Sequence, residues 1–260
     1  MIASFFRNLE RRGVASLLIS GQASVLYGAA TFSEDIDLWI EPSAENLARF
    51  RSALVEEGAR YYKLTPPLEL PYLQSGHGFH FVLGSAEEMV FLDVMGRPPR
   101  VRDFRSAQRN GRRFATDWGN LLTIGIPDLV ELKKTQRLAD YPIISALTLR
   151  WLEERTPGRT ELAWAATNLF TVESFFTFNE RFPAWPESGP NDIPSSLAEW
   201  AGHAMETVPE EIVAEAERWM AERMARHQRT DRQYWKSIIA ELRDLRSRRL
   251  LAEEGARVSF

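Results

Sequence analysis

The sequence predicts an α/β protein, with a mixed sheet flanked by helices in the first part of the chain and an all-helical region after it. Two observations carry this prediction. Short apolar runs typical of strands occur only in the first part, at residues 16–20, 36–40 and 89–95. Later apolar residues recur with the period of a helix. We therefore predict a core over 1–155, a helical region over 156–260 and a proline-rich linker at about 182–194.

Composition excludes several classes of function. The 260 residues include no cysteine, which rules out disulfides, zinc–thiolate sites and thiol nucleophiles. No apolar run approaches the roughly 20 residues that are needed to cross a bilayer. The segment Met1–Arg7 lacks the basic leader and long apolar stretch of a secretion signal. We expect a soluble cytoplasmic protein without a membrane partner.

The first elements are a helix over residues 3–12, a buried strand over 16–20 and a helical turn that begins at Gly21. A strand that runs into a glycine-led helix start presents backbone N–H groups to an anion. The next glycine is Gly28, so the G-x-G-x-x-G pattern of dinucleotide-binding folds is absent. This turn is therefore a candidate phosphate cradle of another kind.

The next strand carries two aspartates on one face. In the run Ile36-Asp37-Leu38-Trp39-Ile40, side chains alternate between the faces of the sheet, so Asp35 and Asp37 share a face while the isoleucines and Leu38 enter the core. Two close carboxylates repel each other unless a positive charge lies between them, and hard divalent cations prefer such oxygen ligands. The alternative is an ordinary strand–helix turn followed by two surface aspartates.

Ser20-Gly21 followed by Ser33-Glu34-Asp35-Ile36-Asp37-Leu38 resembles the signature of the nucleotidyltransferase superfamily, whose best-known member is DNA polymerase beta. More closely, the chain is similar to small bacterial nucleotidyltransferase-like proteins related to the abortive-infection toxin group, over about residues 14–150. The resemblance implies a nucleotidyltransferase-type sheet core that binds Mg²⁺ or Mn²⁺ with a nucleoside triphosphate. Ser20 stands where the family usually has its first glycine, which implies an altered phosphate turn.

The family has a third carboxylate on a later strand, and Asp93 matches it. Asp93 is the only charge in the apolar run Met89–Met95, where an unpartnered carboxylate would be costly to bury. The resemblance implies that Asp35, Asp37 and Asp93 hold the metal, or that Asp93 accepts the proton of the acceptor. The alternative is that Asp93 caps the turn at Gly96.

Residues 126–142 are predicted to begin as a helix with Pro127 in its first turn. Lys133, Arg137 and Asp140 then share one helix face. They resemble the family's lysine and arginine–aspartate motifs, with Lys134 as the other candidate for the lysine. The alternative is a solvated helix face that carries one ion pair.

Two further groups of residues are weaker candidates. His80 alternates with Phe79 and Phe81, so it could share the sheet face of Asp93 and contact substrate, although a hydrogen-bonded strand residue is the more common role. Five arginines are candidates for lining the cleft, namely Arg102, Arg105, Arg109, Arg112 and Arg113.

The end of the chain is basic. Residues 222–260 hold ten Lys and Arg against six Asp and Glu, a net charge of +4. Arg223, Arg226, Arg229 and Arg232 recur every three residues and could follow a phosphate backbone. Beside them, Trp235, Ile238, Leu242 and Leu245 form a core stripe, so a solvated basic face is the simpler interpretation.

These observations lead to one expected function and two alternatives. We expect a nucleotidyltransferase that moves a nucleotidyl group to a hydroxyl of RNA, a protein or a small molecule. Its phosphate ligands would be Ser20, Gly21 and Ser33, with Lys133, Lys134 and Arg137 neutralising the triphosphate and Asp140 supporting them or taking a proton. The alternatives are a non-catalytic protein of toxin–antitoxin type, or an RNA-binding module that uses the basic tail. The oligomeric state stays open.

Overall fold

A mixed sheet of seven strands organises the first part of the chain. The computed structural model describes residues 1–85, 87–188 and 193–260. The strands are β1 Ser16–Ile19, β2 Ile36–Ile40, β3 Arg60–Tyr61, β4 Gly78–Gly84, β5 Met89–Met95, β6 Arg112–Thr116 and β7 Gly119–Thr123. Their order across the sheet is β3-β4-β5-β2-β1-β7-β6. The pairs β2–β5 and β1–β7 are parallel, and the other neighbours are antiparallel.

Eleven α-helices and two short 3₁₀ helices complete the described part of the chain. The α-helices are α1 Ile2–Arg11, α2 Ser20–Leu26, α3 Ala44–Glu56, α4 Leu70–Ser75, α5 Phe104–Arg109, α6 Ile126–Lys133, α7 Asp140–Glu153, α8 Arg159–Ala166, α9 Val172–Arg181, α10 Ser195–Glu199 and α11 Glu210–Ser247. The 3₁₀ helices are Trp185–Ser188 and Met205–Thr207. The prediction of an α/β chain with a mixed sheet and helices is confirmed, whereas the later region is not helical throughout, because Arg257 forms a β-bridge with Arg60 of β3.

The chain divides into two units, although not at residue 155. Unit 1, the sheet unit, comprises residues 1–26, 30–132 and 234–260, and unit 2, the helical unit, comprises 27–29 and 133–233. The difference arises because the last residues of the chain return to the sheet, where Tyr61 donates its backbone N–H to the Ala256 carbonyl at 2.9 Å. The predicted linker at 182–194 includes residues 189–192, which lie outside the described residues.

Each unit has its own apolar core. In unit 1 the core forms on one sheet face, where Leu38 and Leu92 pack with Phe5 of α1 and Phe50 of α3. In unit 2 it forms among helices, with Trp185 fully enclosed. Within the described residues, no helix has the length and apolar character that crossing a membrane requires.

Local signals set two helix boundaries. Within the region predicted to be helical, α8 ends at Ala166 and α9 begins at Val172. Thr171 is the N-cap of α9, where its side-chain oxygen accepts the Ser174 N–H at 3.3 Å. The helix that begins at Ile126 ends at Lys133 rather than continuing toward 142.

Candidate functional site

Three polar side chains lie in one row across the sheet of unit 1. Asp37 of β2 is in register with Asp93 of β5, and Asp93 is in register with His80 of β4. Residues in register on neighbouring strands point to the same face. The row therefore lies on the face opposite the core that contains Leu38 and Leu92. All three side chains are partly exposed, so a ligand can reach them.

His80 and Asp93 are joined by a hydrogen bond. The His80 Nδ1 atom lies 2.8 Å from the Asp93 Oδ1 atom, and both side chains are about three-quarters buried, with 25% and 26% exposed. This bond fixes the orientation of the carboxylate and leaves its second oxygen for another partner. The alternative that Asp93 caps the turn at Gly96 is not observed, because Asp93 lies inside β5 and its carboxylate is hydrogen-bonded to His80.

The predicted phosphate turn lies beside this row. Ile19 at the end of β1 is in register with Asp37, so Ser20 and Gly21 follow at the start of β2. Ser20 has a φ of +57°, in the left-handed region that favours glycine. A serine side chain therefore stands at a position whose backbone conformation suits glycine.

Ser33 explains why residue 21 is a glycine. A Cβ atom on Gly21 would lie 2.1 Å from Ser33 Oγ and 2.9 Å from Ser33 Cβ, far inside contact distance. The segment that carries Ser33 is held in place because Gln22 Nε2 donates to the Ser33 carbonyl at 2.8 Å. Ser33 Oγ in turn donates to the Asp35 carbonyl at 3.3 Å. Ser20, Gly21, Ser33 and Asp35 thus belong to one locally connected site.

The carboxylates do not form a ready-made metal cage. Among the described residues, no group of three or more His, Asp or Glu side chains is arranged to hold a metal ion. Asp35 lies just before β2, and Asp93 is oriented by His80. Mg²⁺ commonly uses one or two carboxylates together with substrate phosphates. The pair Asp37 and Asp93 has the chemistry for a cation that arrives with a triphosphate, whereas the expected preformed triad is not observed.

The stripe predicted on one helix is wrong. Helix α6 ends at Lys133, Arg137 lies in the following turn, and Asp140 begins α7. Pro142 also excludes one helix that runs unbroken through residue 142, because its ring would clash with the carbonyl four residues earlier. A proline is tolerated in the first turn of a new helix, which is where α7 places it.

Lys133 and Asp140 are nevertheless brought together. The Lys133 Nζ atom lies 3.0 Å from Asp140 Oδ1, and Thr135 Oγ1 donates to Asp140 Oδ2 at 2.6 Å. The side chains of Lys133 and Asp140 are only 7% and 14% exposed. Lys134 is also buried, whereas Arg137 is exposed. The proposed solvated face is thus replaced by a buried ion pair in unit 2.

The basic tail is only partly solvated. Arg223 is buried, and its guanidinium lies 4.3 Å from the Trp219 ring centroid and 4.8 Å from that of Phe170. Arg226, Arg229 and Arg232 are exposed. Arg223 is therefore part of the packing of unit 2. In unit 1, Ile238 and Leu245 are buried, which confirms the core stripe at these two positions.

No family model, curated protein or solved structure matches this chain. The resemblance of Ser20–Leu38 to nucleotidyltransferases accordingly stays a prediction that rests on the residues themselves. Sequence reasoning left His80 as a minor candidate, although its hydrogen bond makes it part of the row. The register between β4 and β5 places His80 opposite Asp93. In the sequence, this position was indicated by the alternation of Phe79, His80 and Phe81.

Proposed function

We propose that this protein is a divalent-cation-dependent nucleotidyltransferase with a nucleotidyltransferase-type sheet core. The observation that carries the proposal is the register of Asp37 with Asp93 on neighbouring parallel strands, beside the Ser20-Gly21 turn. The two carboxylates of Asp37 and Asp93 could bind the cation that accompanies a triphosphate. The Ser20-Gly21 turn, against which Ser33 packs, lies beside them and could contact the phosphates. The fold alone would not support this function, because many functions share a fold.

In this proposal the acceptor is a hydroxyl group, and the donor is a nucleoside triphosphate. The hydroxyl oxygen forms a bond to the α-phosphorus, the bond from that phosphorus to the oxygen of the leaving pyrophosphate breaks, and the hydroxyl proton passes to a carboxylate, for which Asp93 is the candidate. Asp37 and Asp93 would hold Mg²⁺ or Mn²⁺ with Asp35 as a further carboxylate, and oxygen atoms of the triphosphate would supply the ligands that the described carboxylates do not. When bound, the cation would neutralise phosphate charge and lower the pKa of the attacking hydroxyl.

The remaining residues have supporting roles in the proposal. Ser20, Gly21 and Ser33 would contact phosphate oxygens. Lys133 and Asp140 act as a pair, since each partner satisfies the other's charge. His80 would keep one oxygen of Asp93 fixed and the other directed toward the ligand.

Labelling of an acceptor tests the function directly. The protein is incubated with each α-labelled nucleoside triphosphate, Mg²⁺ and a cell lysate, and the labelled product is identified as RNA, protein or small molecule. We expect labelling by the wild type that EDTA abolishes. Nucleotide affinity is measured in parallel, because binding should be tighter with Mg²⁺ or Mn²⁺ than with EDTA.

Matched variants separate the site from general charge effects. Changing Asp35 and Asp37 to Asn removes charge at nearly constant shape and should abolish both the labelling and the metal-dependent part of the affinity. Glu34→Gln, which alters an exposed carboxylate next to Asp35, is the control and should change neither. An unchanged metal dependence in the double variant would exclude these aspartates as ligands.

A further inference from the structure

A cleft of about 680 Å³ opens in unit 1 at the far end of β2 and β5 from Asp35. Its size is within the range of small-molecule sites. It is formed by the loop after β5 together with residues of β2, α4, α5 and α11. The lining residues are Trp39, Pro42, Ser75, Gly96, Arg97, Pro98, Pro99, Arg100, Val101, Arg102, Asp103, Phe104 and Tyr234.

The walls of the cleft are apolar and held in place. The Trp39 and Phe104 rings meet edge to face with centroids 5.5 Å apart, and both residues are buried. The Trp39 indole N–H is fixed on the Gly96 carbonyl. Tyr234 donates its hydroxyl to the Arg97 carbonyl at 3.4 Å. Because these rings are buried, they keep the cleft wall rigid, and a mainly apolar wall suits a ring compound.

Two arginine side chains at the mouth of the cleft are exposed to solvent. Arg97 and Arg102 are exposed, and within the described residues neither side chain forms a hydrogen bond or a salt bridge. Arg100 is different, because its guanidinium donates to the carbonyls of Glu131 at 3.0 Å and Leu132 at 3.3 Å. Arg100 therefore anchors the loop, while Arg97 and Arg102 remain for a ligand.

The acidic groups near the mouth do not cancel this charge. Asp103 caps helix α5, where it accepts hydrogen bonds from the Ser106 N–H at 3.0 Å and the Ser106 hydroxyl at 2.8 Å. Asp128 lies close enough to Arg102 for the two charges to attract each other. Arg97 and Arg102 thus remain exposed beside two carboxylates, of which Asp103 is already hydrogen-bonded to Ser106.

We propose that this cleft binds a phosphate-bearing ring compound of about the size of a mononucleotide. The planar guanidinium of arginine matches phosphate oxygens with paired donors, and the apolar walls accept the ring. The inference does not depend on the proposed nucleotidyltransferase function, since it uses none of the aspartates of that site. Of the five arginines that the sequence suggested for a cleft, Arg102 lines this one.

Calorimetric titration with AMP in the presence of EDTA tests this site. EDTA removes the metal-dependent mode of nucleotide binding from the measurement. We expect AMP to bind at least tenfold more tightly than adenosine, which lacks the phosphate, or inorganic phosphate, which lacks the ring. Changing Arg97 and Arg102 together to Gln should lower the AMP affinity at least tenfold, with an unchanged circular dichroism spectrum and melting temperature.

Two controls locate the site. Arg105→Gln removes a charge from the same region of the chain, but Arg105 does not line the cleft and its side chain is 79% exposed, so the affinity should not change. Arg109→Gln removes an exposed charge farther along the same segment, and Arg109 does not line the cleft, so this variant should bind AMP like the wild type. The proposal is overturned if the double variant binds AMP like the wild type, if either control variant weakens binding equally, or if adenosine binds as tightly as AMP.

Discussion

Ser20 and Gly21 show how two backbone positions shape the candidate site. A side chain in the left-handed region costs about 1–2 kcal/mol, so Ser20 keeps this conformation because its neighbours impose it. Its carbonyl accepts the Ser24 hydroxyl at 2.8 Å, which fixes the first turn of α2. The close approach of Ser33 to Gly21 then brings a hydroxyl to the start of β2.

We predict that Gly21→Ala lowers the free energy of unfolding by about 1–3 kcal/mol, because the added methyl overlaps Ser33. Urea unfolding provides the measurement. In a Ser33→Gly background, where both overlapping atoms are absent, the same change should cost less than half as much. Equal costs in the two backgrounds would show that Ser33 is not the obstacle.

His80 is predicted to act through Asp93. His80→Asn retains an N–H donor near the position of Nδ1, so metal-dependent nucleotide affinity should stay within about threefold of the wild type. His80→Phe keeps the ring but loses the donor, and the affinity should fall about tenfold, the size expected for partners of metal ligands. Affinity is measured with Mn²⁺ and with EDTA for each variant. A fall of equal size in both variants would contradict the role of the hydrogen bond.

At the scale of elements, the junction of α6 and α7 depends on a buried ion pair. We predict that Lys133→Met lowers the free energy of unfolding by about 3–5 kcal/mol, since among the described residues it leaves the buried Asp140 carboxylate with Thr135 as its remaining side-chain partner. Thermal and urea unfolding measure the effect. Adding Asp140→Leu to this variant should recover most of the loss, and a double variant as unstable as the single one would disprove the pairing.

Helix α6 also carries a carboxylate that burial makes less acidic. Burial raises the pKa of Asp128 above its ordinary value of 3.8, and the nearby charge of Glu131 adds to the rise while Arg102 opposes it. The folded state therefore binds the proton more tightly than the unfolded state. The contribution of Asp128 to stability consequently decreases as the pH rises from about 3.8 through the raised pKa.

We predict that the stability of Asp128→Asn relative to the wild type increases as the pH rises through that window. The variant has no carboxylate to ionise, so it lacks the cost that the wild type acquires. Urea unfolding of both proteins at several pH values gives the difference. A difference that is constant or that decreases with pH would contradict the raised pKa.

At the scale of the whole molecule, the end of the chain completes the sheet unit. Backbone hydrogen bonds connect residues 252–258 to 59–65, and Val258 enters the core. We predict that deleting residues 252–260 lowers the free energy of unfolding by about 3 kcal/mol, from the lost hydrogen bonds and the lost burial of Val258. The uncovered β3 edge should also promote aggregation. Removing Phe260 alone, which is 82% exposed, is the control and should have little effect.

The parts of the fold that follow local patterns were predictable. The strands at 36–40 and 89–95, the first helix and the start of α6 all agree with the structure, because alternation, apolar runs and Pro127 act within a few residues. The end of α6 was missed, because no proline or glycine lies between Lys133 and Asp140 to mark it. The division into units was missed for a different reason, since the contacts of residues 252–258 with β3 join segments far apart in sequence.

The sequence by itself determined which residues of the candidate site have chemistry to offer, namely Asp35, Asp37, Asp93 and the Ser20-Gly21 turn. Only the tertiary structure decided how they are used. The strand register places Asp37 beside Asp93, and His80 forms a hydrogen bond with Asp93. Lys133 forms an ion pair with Asp140. Residue types and short-range periodicity can be read directly from the sequence. Strand register and side-chain pairing result from packing between segments that are distant in sequence, so a local pattern does not determine them.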